Sequence, residues 1–532
     1  MPFVNSSDTK LNYVRETSVN VAGTTGWKRK DVNSIDTFGA EVEKTPRAPI
    51  TSGGFRRKSK TTNITAGVEI GEDLTVDAAL DVMGDITQAK IKNIEVIRMP
   101  VTSVDATTGF ALATDLTSDQ ADLLKANTLL WGSHFTNNAN NGLFVLTADT
   151  NASDSAVDVA GVVDESTGGY ISLGGSRIPA SVSKTLAWDP DAGKAGLLTM
   201  TVANADQIPG LYEGQQLHIG SPDSTGENSV NAFTLPANTG TNTTTATVAN
   251  GGNGWVTIRK INSGSLVFGD VPEDLQFNVA SNPNAVIDLV YGCFARDVEK
   301  SHADSEVVTR TFELQSPGQG DGTKGNTDDQ FFYVIGCQLS SISVGVSQRG
   351  LITLTSNYVA NDETDETSTQ MTGADAAQDI LSEDVFVSGD GFQKVEVEGL
   401  GLEEGLFVDS VTPTIDRGLS PRNVANKGAA IAKNQPVITV TCEITALLAG
   451  AGVKKAIRND YDLGCALAFT SADGCVGFNI YSASGSGGGR AFPPDDFVTY
   501  TMNVEGNGDE TFDETKTVGI SVAVVPIPEK DC

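Results

Sequence analysis

The sequence predicts a mainly β protein with two related β domains, each with a short flanking helix, and two small β modules inserted into the first domain. Three observations support this fold class. Gly accounts for 56 of 532 residues and aromatic residues for only 6%, which is typical of a β protein with many turns. Apolar and polar residues alternate in several short segments, the pattern of half-buried strands. Two of these segments, far apart in the chain, resemble each other.

The resemblance between the two segments indicates an internal duplication. Residues 64–70 read ITAGVEI and residues 438–444 read ITVTCEI, an offset of 438 − 64 = 374. Upstream, Pro46 in TPR corresponds to Pro421 in SPR, at an offset of 421 − 46 = 375. In both segments the apolar residues recur with a period of two, as in a strand with one buried face. Several matches in one order favour duplication over chance.

Further secondary structure is predicted around these two strands. A short helix is expected after each, at Asp73–Met83 and Leu447–Arg458. Alternation also predicts strands at Leu339–Val346, Leu351–Thr355, Val395–Val397, Val498–Val504 and Thr517–Val525.

These segments define the predicted domain organisation. The residues from about 98 to 299 separate the first repeat from its later strands and are interpreted as an insertion. The sequence of Asn141–Val145 resembles that of Asn253–Thr257, which predicts two modules of similar structure. The predicted units are a first β domain (1–97 plus 300–360), inserted module 1 (98–184), inserted module 2 (185–299), an acidic linker (361–384) and a second β domain (385–532).

The charge of the chain restricts its partners. Lys plus Arg total 36 and Asp plus Glu total 68, a formal net charge of −32. Binding to nucleic acid through counterion release needs clustered cations, so tight nucleic-acid binding is not expected. High solubility alone is the alternative explanation of this charge. The sequence shows neither a secretory signal nor an apolar run of membrane-spanning length, so we expect no membrane partner.

Two polar segments that precede the repeated strands are basic in this acidic chain. We predict that they are long loops that contact acidic surfaces of neighbouring subunits. The alternative is a solvated loop whose charges are balanced by nearby carboxylates. The ten candidate contact residues are Lys44, Arg47, Arg56, Arg57, Lys58, Lys60, Arg417, Arg422, Lys427 and Lys433.

No catalytic or metal-binding pattern stands out, so the sequence predicts a protein that is not an enzyme and carries no cofactor. His134, His218 and His302 are far apart and lack the spacing of zinc ligands. Phosphate-binding and nucleophile-elbow motifs are absent. The six cysteines are scattered, and we expect buried free thiols in a cytosolic product.

The segment Val411–Arg422 reads VTPTIDRGLSPR and is followed by a polar loop, an alternating strand and a short helix. Together, residues 411–459 resemble the C-terminal half of the tail tube proteins of siphophages, bacteriophages with long non-contractile tails. The N-terminal half is similar in order, with SIDTFGAEVEKTPR before its strand. The segment FTNNANNGLFV at 135–145 is similar to insert modules of larger family members.

The resemblance implies a large major tail tube protein, with a duplicated tube domain of β-barrel or sandwich type and inserted β modules. In this family six domains surround the tube, so two domains per chain imply trimeric rings with pseudo-sixfold symmetry, stacked head to tail. The implied partners are other copies of the chain, the tape measure, tail terminator and distal tail proteins, and double-stranded DNA that passes without tight binding. The implied location is the virion tail tube, assembled in the host cytoplasm.

Two other classes of protein stay open. Another phage tail or baseplate component, a fibre or a bacterial surface-layer protein would also be rich in Gly, Thr and Asn. A β-domain protein that binds or depolymerises polysaccharide is the second alternative. Four Trp and nine Tyr offer few platforms for stacking sugars, which disfavours it.

Overall fold

The computed structural model describes most of the chain. The described residues are 9–47, 57–179, 181–189, 197–220, 232–235, 246–249, 255–269, 286–316, 330–347, 349–364, 367–379, 384–388, 392–398, 407–422, 432–434, 438–447, 458, 463–471, 473–491, 499–508 and 519–525. Within them, no helix combines the length and the apolar character needed to span a membrane.

The protein is mainly β, as predicted, and its strands pair antiparallel. The strands before the insertion are β1 Lys10–Ser18, β2 Val21–Ala22, β3 Lys28–Lys30, β4 Ser34–Arg47 and β5 Arg57–Asp73. The strands of the insertion are β6 Met99–Asp105, β7 Gly109–Leu112, β8 Thr128–Ser133, β9 Gly142–Val145, β10 Ala156–Val157, β11 Tyr170–Ile178, β12 Lys184–Asp189, β13 Leu197–Val202, β14 Gln216–Gly220, β15 Ala232–Leu235, β16 Ala246–Ala249, β17 Trp255–Asn262, β18 Ser265–Gly269 and β19 Ile287–Val290.

The strands after the insertion complete the two β domains. They are β20 Cys293–Arg296, β21 Arg310–Ser316, β22 Gln330–Ser347, β23 Thr353–Ala360, β24 Asp362–Glu363, β25 Phe392–Glu398, β26 Phe407–Asp416, β27 Ser420–Arg422, β28 Ala432–Asn434, β29 Thr439–Leu447, β30 Leu463–Ser471, β31 Gly474–Ala491, β32 Thr499–Gly506 and β33 Ile520–Val525. Two α-helices are described, α1 Val76–Thr87 and α2 Ser118–Leu123. Short 3-10 turns lie at Ile94–Val96, Asn138–Asn140, Ala205–Gln207 and Ala374–Ala376.

Each half of the protein contains the same four-stranded antiparallel unit. In the first half the order is β4-β5-β23-β22, and in the second half it is β26-β29-β32-β31. Equivalent central residues have equivalent partners: Val68 pairs with Phe38 and Tyr358, and Cys442 pairs with Pro413 and Val504. These residues are separated by the offset seen in the sequence, 442 − 68 = 374, so the two strands that resemble each other in sequence also have matching neighbours in their sheets.

A second layer of strands covers each four-stranded unit. Strands β22 and β31 have 18 residues each, and each passes from one layer to the other. The first part of β22 pairs with β21, which pairs with β1, whereas the first part of β31 pairs with β30, which pairs with β25. Residues of these strands and of the four-stranded units meet in one hydrophobic core, as Phe312 of β21 does with Tyr358 of β23. Among the described residues, neither large sheet closes into a barrel.

One strand pair joins the two halves. The second part of β22 pairs with β23 on one side and with β26 on the other. The two four-stranded units thus form one eight-stranded sheet in the order β4-β5-β23-β22-β26-β29-β32-β31. A single hydrophobic core follows this sheet through both halves, from Val68 and Ile70 to Cys442 and Ile444.

Helix α1 lies against this core next to the junction of the halves. Thr75 caps its first turn by accepting a hydrogen bond from the Ala78 amide at 3.1 Å. Gln88 ends the helix in the left-handed conformation, with φ of 49°. The buried residues Val76, Ala79 and Met83 recur at helical spacing and face the core. The helix predicted at Asp73–Met83 is thus confirmed, with later bounds. Most of its predicted counterpart at Leu447–Arg458 lies outside the described residues. Of its two ends, Leu447 belongs to β29 and Arg458 is helical.

The insertion forms one twelve-stranded sheet around a core of its own. Along the main path, β10-β7-β6-β11 come from predicted module 1 and β19-β14-β17-β18-β13-β12 from predicted module 2. The sequence echo is also seen in the pairing, because β8 pairs with β9 and β14 pairs with β17. The two predicted modules meet at the β11–β19 pair and share one hydrophobic core.

The insertion packs against the second half of the protein. Trp131 and Trp255 of the insertion share a buried cluster with Ala468 and Val525. The Asn479 side chain donates a hydrogen bond to the Thr257 hydroxyl at 2.7 Å.

The acidic segment predicted as a linker or exposed loop packs onto the first half over much of its described length. Ala374 is 2% exposed and shares a cluster with Trp27. The Gln378 amide donates to the Trp27 carbonyl at 2.9 Å, and β24 pairs with β22. The apolar residues scattered among the acidic ones explain this packing, since they cover the ring of Trp27.

Candidate assembly interface

The two ends of the eight-stranded sheet have an edge without a strand partner in the described part of the chain. Strand β4 pairs with β5 along its length, and no described strand pairs with its other edge. The last part of β31, from Ser484 to Ala491, pairs only with β32 among the described strands. Such edges carry unpaired N–H and C=O groups and are templates for pairing with another chain.

One side chain covers a donor on the free edge of β4. The Glu363 carboxylate accepts a hydrogen bond from the Ala40 amide at 2.7 Å. The carboxylate fits there because Gly39 has no side chain: a Cβ atom at Gly39 would lie 2.8 Å from Glu363 Oε2. The equivalent of Gly39 in the second half is Thr414 (414 − 39 = 375), on a strand whose edge is paired with β22.

The β22–β26 pair inside the chain shows how a neighbouring strand pairs with the backbone groups of such an edge. In the β22–β26 pair, Ile342 is opposite Ile415 and Ser341 is opposite Asp416. The Arg417 amide continues the ladder by donating to the Ser340 carbonyl at 2.8 Å. The residue equivalent to Ile415 in the first half is Ala40 (415 − 40 = 375). Glu363 therefore occupies the position that β22 occupies in the second half.

The eight-stranded sheet has one face on the core and one face away from it. Successive residues of a strand point to opposite faces. The residues that alternate with the core residues, and so lie on the second face, are mostly Thr, Ser, Gly and Asn. The charged side chains described there are acidic and include Glu41, Glu69, Asp416, Glu443 and Glu505. No Lys or Arg lies on this face among the residues whose side chains the structure describes.

The first predicted basic loop is largely a two-stranded arm. Lys44 pairs with Thr61, Thr45 with Lys60 and Arg47 with Arg57, so the segment extends β4 and β5 beyond the sheet. Lys58 lies on β5 in the same arm, and Arg56 lies outside the described residues. The prediction of an irregular loop is therefore corrected at the paired positions, because two β-forming segments of the same hairpin satisfy each other's backbone groups.

The second basic segment contains an equivalent but shorter arm. Ser420 pairs with Asn434, as Thr45 pairs with Lys60 in the first arm (420 − 45 = 375 and 434 − 60 = 374). Arg422 is exposed on this arm, and Lys427 lies outside the described residues.

Lys433 of the second arm contacts the first half of the same chain. Its ammonium donates to the Gly336 carbonyl and to Asn361 Oδ1, the latter at 3.0 Å. Burial lowers the pKa of Lys433 to about 8, although nearby Cys337 and Glu16 oppose the shift. Gly336 has φ of 64° at the point where β22 changes layer, and a Cβ there would lie 2.2 Å from Asn20 Oδ1.

Arg417 is also engaged within the chain. It is 6% exposed, and its guanidinium donates to the carbonyl of Ile86 in the last turn of α1. Burial lowers the pKa of Arg417 to about 10, and the nearby Asp297 opposes the shift. Arg417 and Lys433 were predicted to contact neighbouring subunits, whereas the structure places both side chains between the two halves of one chain. The physical reason is the β22–β26 junction, which brings the second basic segment onto the first half.

The described residues show no metal centre. No cluster of three or more His, Cys, Asp or Glu side chains with metal-binding geometry occurs among them. His218 is buried edge-on against Trp255, and His134 lies edge-on to Tyr170. Cys293, Cys337, Cys442 and Cys465 are buried free thiols, as expected, but Cys475 is disulfide-bonded, contrary to that expectation.

Two features of the interface were not identified from the sequence. Glu363 was part of the predicted linker, and its contact with Ala40 spans 323 residues. The acidic residues of the face away from the core were not singled out among 68 acidic residues. The duplication offset was the signal available for that face, since Glu69 and Glu443 occupy equivalent positions (443 − 69 = 374).

Comparison with known proteins gave no match, either to a protein family or to a curated protein.

Proposed function

We propose that this protein is the major tail tube subunit of a long-tailed bacteriophage, a structural protein that assembles into a hollow conduit for viral DNA. The observation that carries the proposal is the eight-stranded sheet. Two copies of one four-stranded unit are joined side by side, and both ends of the sheet have an edge with no partner among the described strands. A repeated unit with a head-to-tail contact forms a ring when the rotation closes.

The proposed assembly is a ring of three chains with pseudo-sixfold symmetry. Each chain supplies two of the four-stranded units, so a ring contains 3 × 8 = 24 strands. Closure of the strands into a cylinder removes the exposed edges that otherwise promote aggregation. Rings then stack head to tail into a tube, and the basic arm of β4 and β5 is long enough to extend beyond its own sheet.

The acidic face supports the proposed conduit. If the face away from the core lines the tube, Glu69 and Glu443 repeat around the lumen at equivalent positions. DNA is a polyanion, and a wall whose described charged side chains are all acidic repels it from all sides. The duplex then passes without binding, in contrast to the basic surface of a DNA-binding protein.

Electron microscopy of the purified protein tests the proposal. We expect rings and stacked hollow tubes in negative stain, with three chains per ring by mass measurement. Flat lattices or isolated fibres would instead favour a surface-layer or fibre protein. A protein that stays monomeric at high concentration would contradict the proposal.

A further inference from the structure

The internal junction of the two halves has a counterpart that the chain cannot form with itself. The second part of β22 pairs with β26. By the duplication, β31 is equivalent to β22 and β4 is equivalent to β26. These two equivalent strands lie at opposite ends of the eight-stranded sheet, so a β31–β4 pair needs a second copy of the chain.

We propose that the free edge of β4 pairs antiparallel with the Ser484–Ala491 edge of β31 of a second copy, and that this strand displaces Glu363 from the Ala40 amide. The inference deepens the proposed function, on which its ring geometry rests, by naming the two edges in contact, their register and the group that covers one edge before assembly.

The pairing inside the chain predicts the register between chains. Ile342 is opposite Ile415 in the junction, and Ile342 also pairs with Ser356 of β23. Ser356 corresponds to Met502 (502 − 356 = 146), which pairs with Gly487. Ile415 corresponds to Ala40, so Ala40 is opposite Gly487 of the second copy.

The next pair follows in the same way. Ser341 pairs with Asn357, which corresponds to Asn503 (503 − 357 = 146), and Asn503 pairs with Ser486. Asp416 corresponds to Glu41 (416 − 375 = 41), so Glu41 is opposite Ser486 of the second copy.

The hydrogen-bond pattern agrees with this register. The Arg417 amide points to β22 in the junction, and residues two apart on a strand point to the same side. Ile415 therefore directs its amide to β22, and its equivalent, Ala40, directs its amide to the free edge, as the contact with Glu363 shows directly. On pairing, the Ala40 amide donates to the Gly487 carbonyl instead of to the carboxylate.

Glu363 fits the role of a cover for this edge. Natural proteins use charged side chains to prevent unwanted pairing of exposed strands. Here the carboxylate satisfies a backbone donor that would otherwise be available to any extended chain. A partner with the correct complementary strand replaces one hydrogen bond by a ladder of them, so displacement of the carboxylate favours the matched edge.

Disulfide cross-linking tests the register. Glu41 and Ser486 form a predicted non-hydrogen-bonded pair, in which Cα atoms are about 4.5 Å apart, within the range that a disulfide spans. Both side chains are exposed, so Glu41→Cys with Ser486→Cys is expected to fold. Under mild oxidation we expect disulfide-linked dimers and trimers on a non-reducing gel. The four free thiols among the described residues are buried, which keeps them from competing.

A matched variant controls for random collision. Glu41→Cys with Ser484→Cys shifts the second thiol by two residues on the same face, to a diagonal separation of about 7 Å. This pair is expected to cross-link at least tenfold more slowly. Equal rates for the two pairs, or no cross-link in assembled tubes, would overturn the proposed pairing and leave the tube function standing.

The remaining outcomes separate the two proposals. Cross-linked rings that never stack into tubes would support the pairing and contradict the tube function. A chain that stays monomeric and does not cross-link at high concentration would overturn both the pairing and the tube function.

The substitution Glu363→Ala tests whether Glu363 blocks the free edge of β4 before assembly. Loss of its charge-assisted hydrogen bond should speed formation of the 41–486 cross-link by about tenfold. Asp206→Ala is the control, since it removes the same charge from an exposed site on the insertion. An unchanged rate for Glu363→Ala would overturn the role of Glu363 as a cover.

Discussion

Asp297 is a buried carboxylate that links the two halves of the chain. Its Oδ1 atom accepts hydrogen bonds from the Gly519 and Ile520 amides at 2.9 and 3.0 Å. Burial raises the pKa of Asp297 to about 6, although these hydrogen bonds and Arg417 oppose the shift. The carboxyl group therefore binds a proton more readily in the folded state than in the unfolded chain.

This pKa predicts the sign of a pH dependence. Between about pH 4 and 6 the folded state holds more protons at Asp297 than the unfolded state does, so the stability contributed by this group falls as the pH rises. Compared with Asp297→Asn, the wild-type protein should gain about 2 kcal/mol of unfolding free energy when the pH is lowered from 7 to 4. Urea unfolding at several pH values measures this difference, with Asp206→Asn as a charge control. Parallel pH profiles for wild type and Asp297→Asn would contradict it.

Individual contacts of this kind were the least predictable part of the molecule. The basic residue Arg417 was identified from its charge, but the sequence does not show that its partner is a helix end 331 residues away. Burial of a charge depends on which distant segments meet, and local pattern carries no information about that meeting.

Helix α1 is fixed to the sheet by buried ion pairs as well as by its apolar face. Lys30 Nζ lies 2.9 Å from Glu72 Oε1 and 3.6 Å from Asp81 Oδ2, and the Lys30 side chain is only 4% exposed. On the other side, Arg310 Nε lies 2.6 Å from Asp85 Oδ2. Burial would raise the pKa of Asp81, but Lys30, Lys28 and Arg310 lower it to about 2. These contacts connect α1 to β3, β5 and β21.

The buried pair at Lys30 predicts a large effect of a single substitution. Lys30→Met leaves the Glu72 carboxylate buried without its partner, and such a loss costs about 3–5 kcal/mol. Lys28→Met is the matched control on the same strand, because the Lys28 side chain is 43% exposed and its pair with Asp81 is longer, at 3.5 Å. It should cost at most about 1 kcal/mol. Denaturant unfolding measures both, and equal losses would contradict the role assigned to Lys30.

At the level of elements, alternation was a reliable guide where one face of a strand is buried. Strands β5 and β29 lie where ITAGVEI and ITVTCEI predict them. The arm of β4 and β5 was read as a loop because its polar and basic residues show no apolar alternation. The structure shows these segments as strands through their backbone pairing, which apolar alternation does not report.

The distribution of charge over the whole molecule leads to a prediction about DNA. In the proposed tube, Glu69→Lys with Glu443→Lys converts six equivalent positions around each ring from acidic to basic. Tubes of this variant should retain short duplex DNA at low salt and release it as salt increases, whereas wild-type tubes should retain none. Co-sedimentation over a salt series measures the difference.

A control distinguishes position from net charge in this experiment. Asp119→Lys with Asp206→Lys makes the same charge change on exposed residues of the insertion. DNA retention by this control equal to that of the Glu69/Glu443 variant would contradict the assignment of the acidic face to the lumen.

At this largest scale, the duplication and the offset between the halves were visible in the sequence. The eight-stranded sheet was not, since the β22–β26 pair joins segments with no local signal for each other. The insertion also differed from a simple expectation of separate modules, because hydrophobic residues of both modules meet in one core across the β11–β19 pair.

The insertion follows α1 of the first half, between Thr87 and β20. Its counterpart position in the second half, between Arg458 and β30, has room for only a few residues. The two halves are therefore not interchangeable, although they contain the same four-stranded unit. In the proposed ring of three chains, one insertion per chain would recur every 120°, packed against the second half of its own chain. The insertions would then repeat three times around the ring, whereas the four-stranded units would repeat six times. A protein that binds the insertions would find three sites per ring.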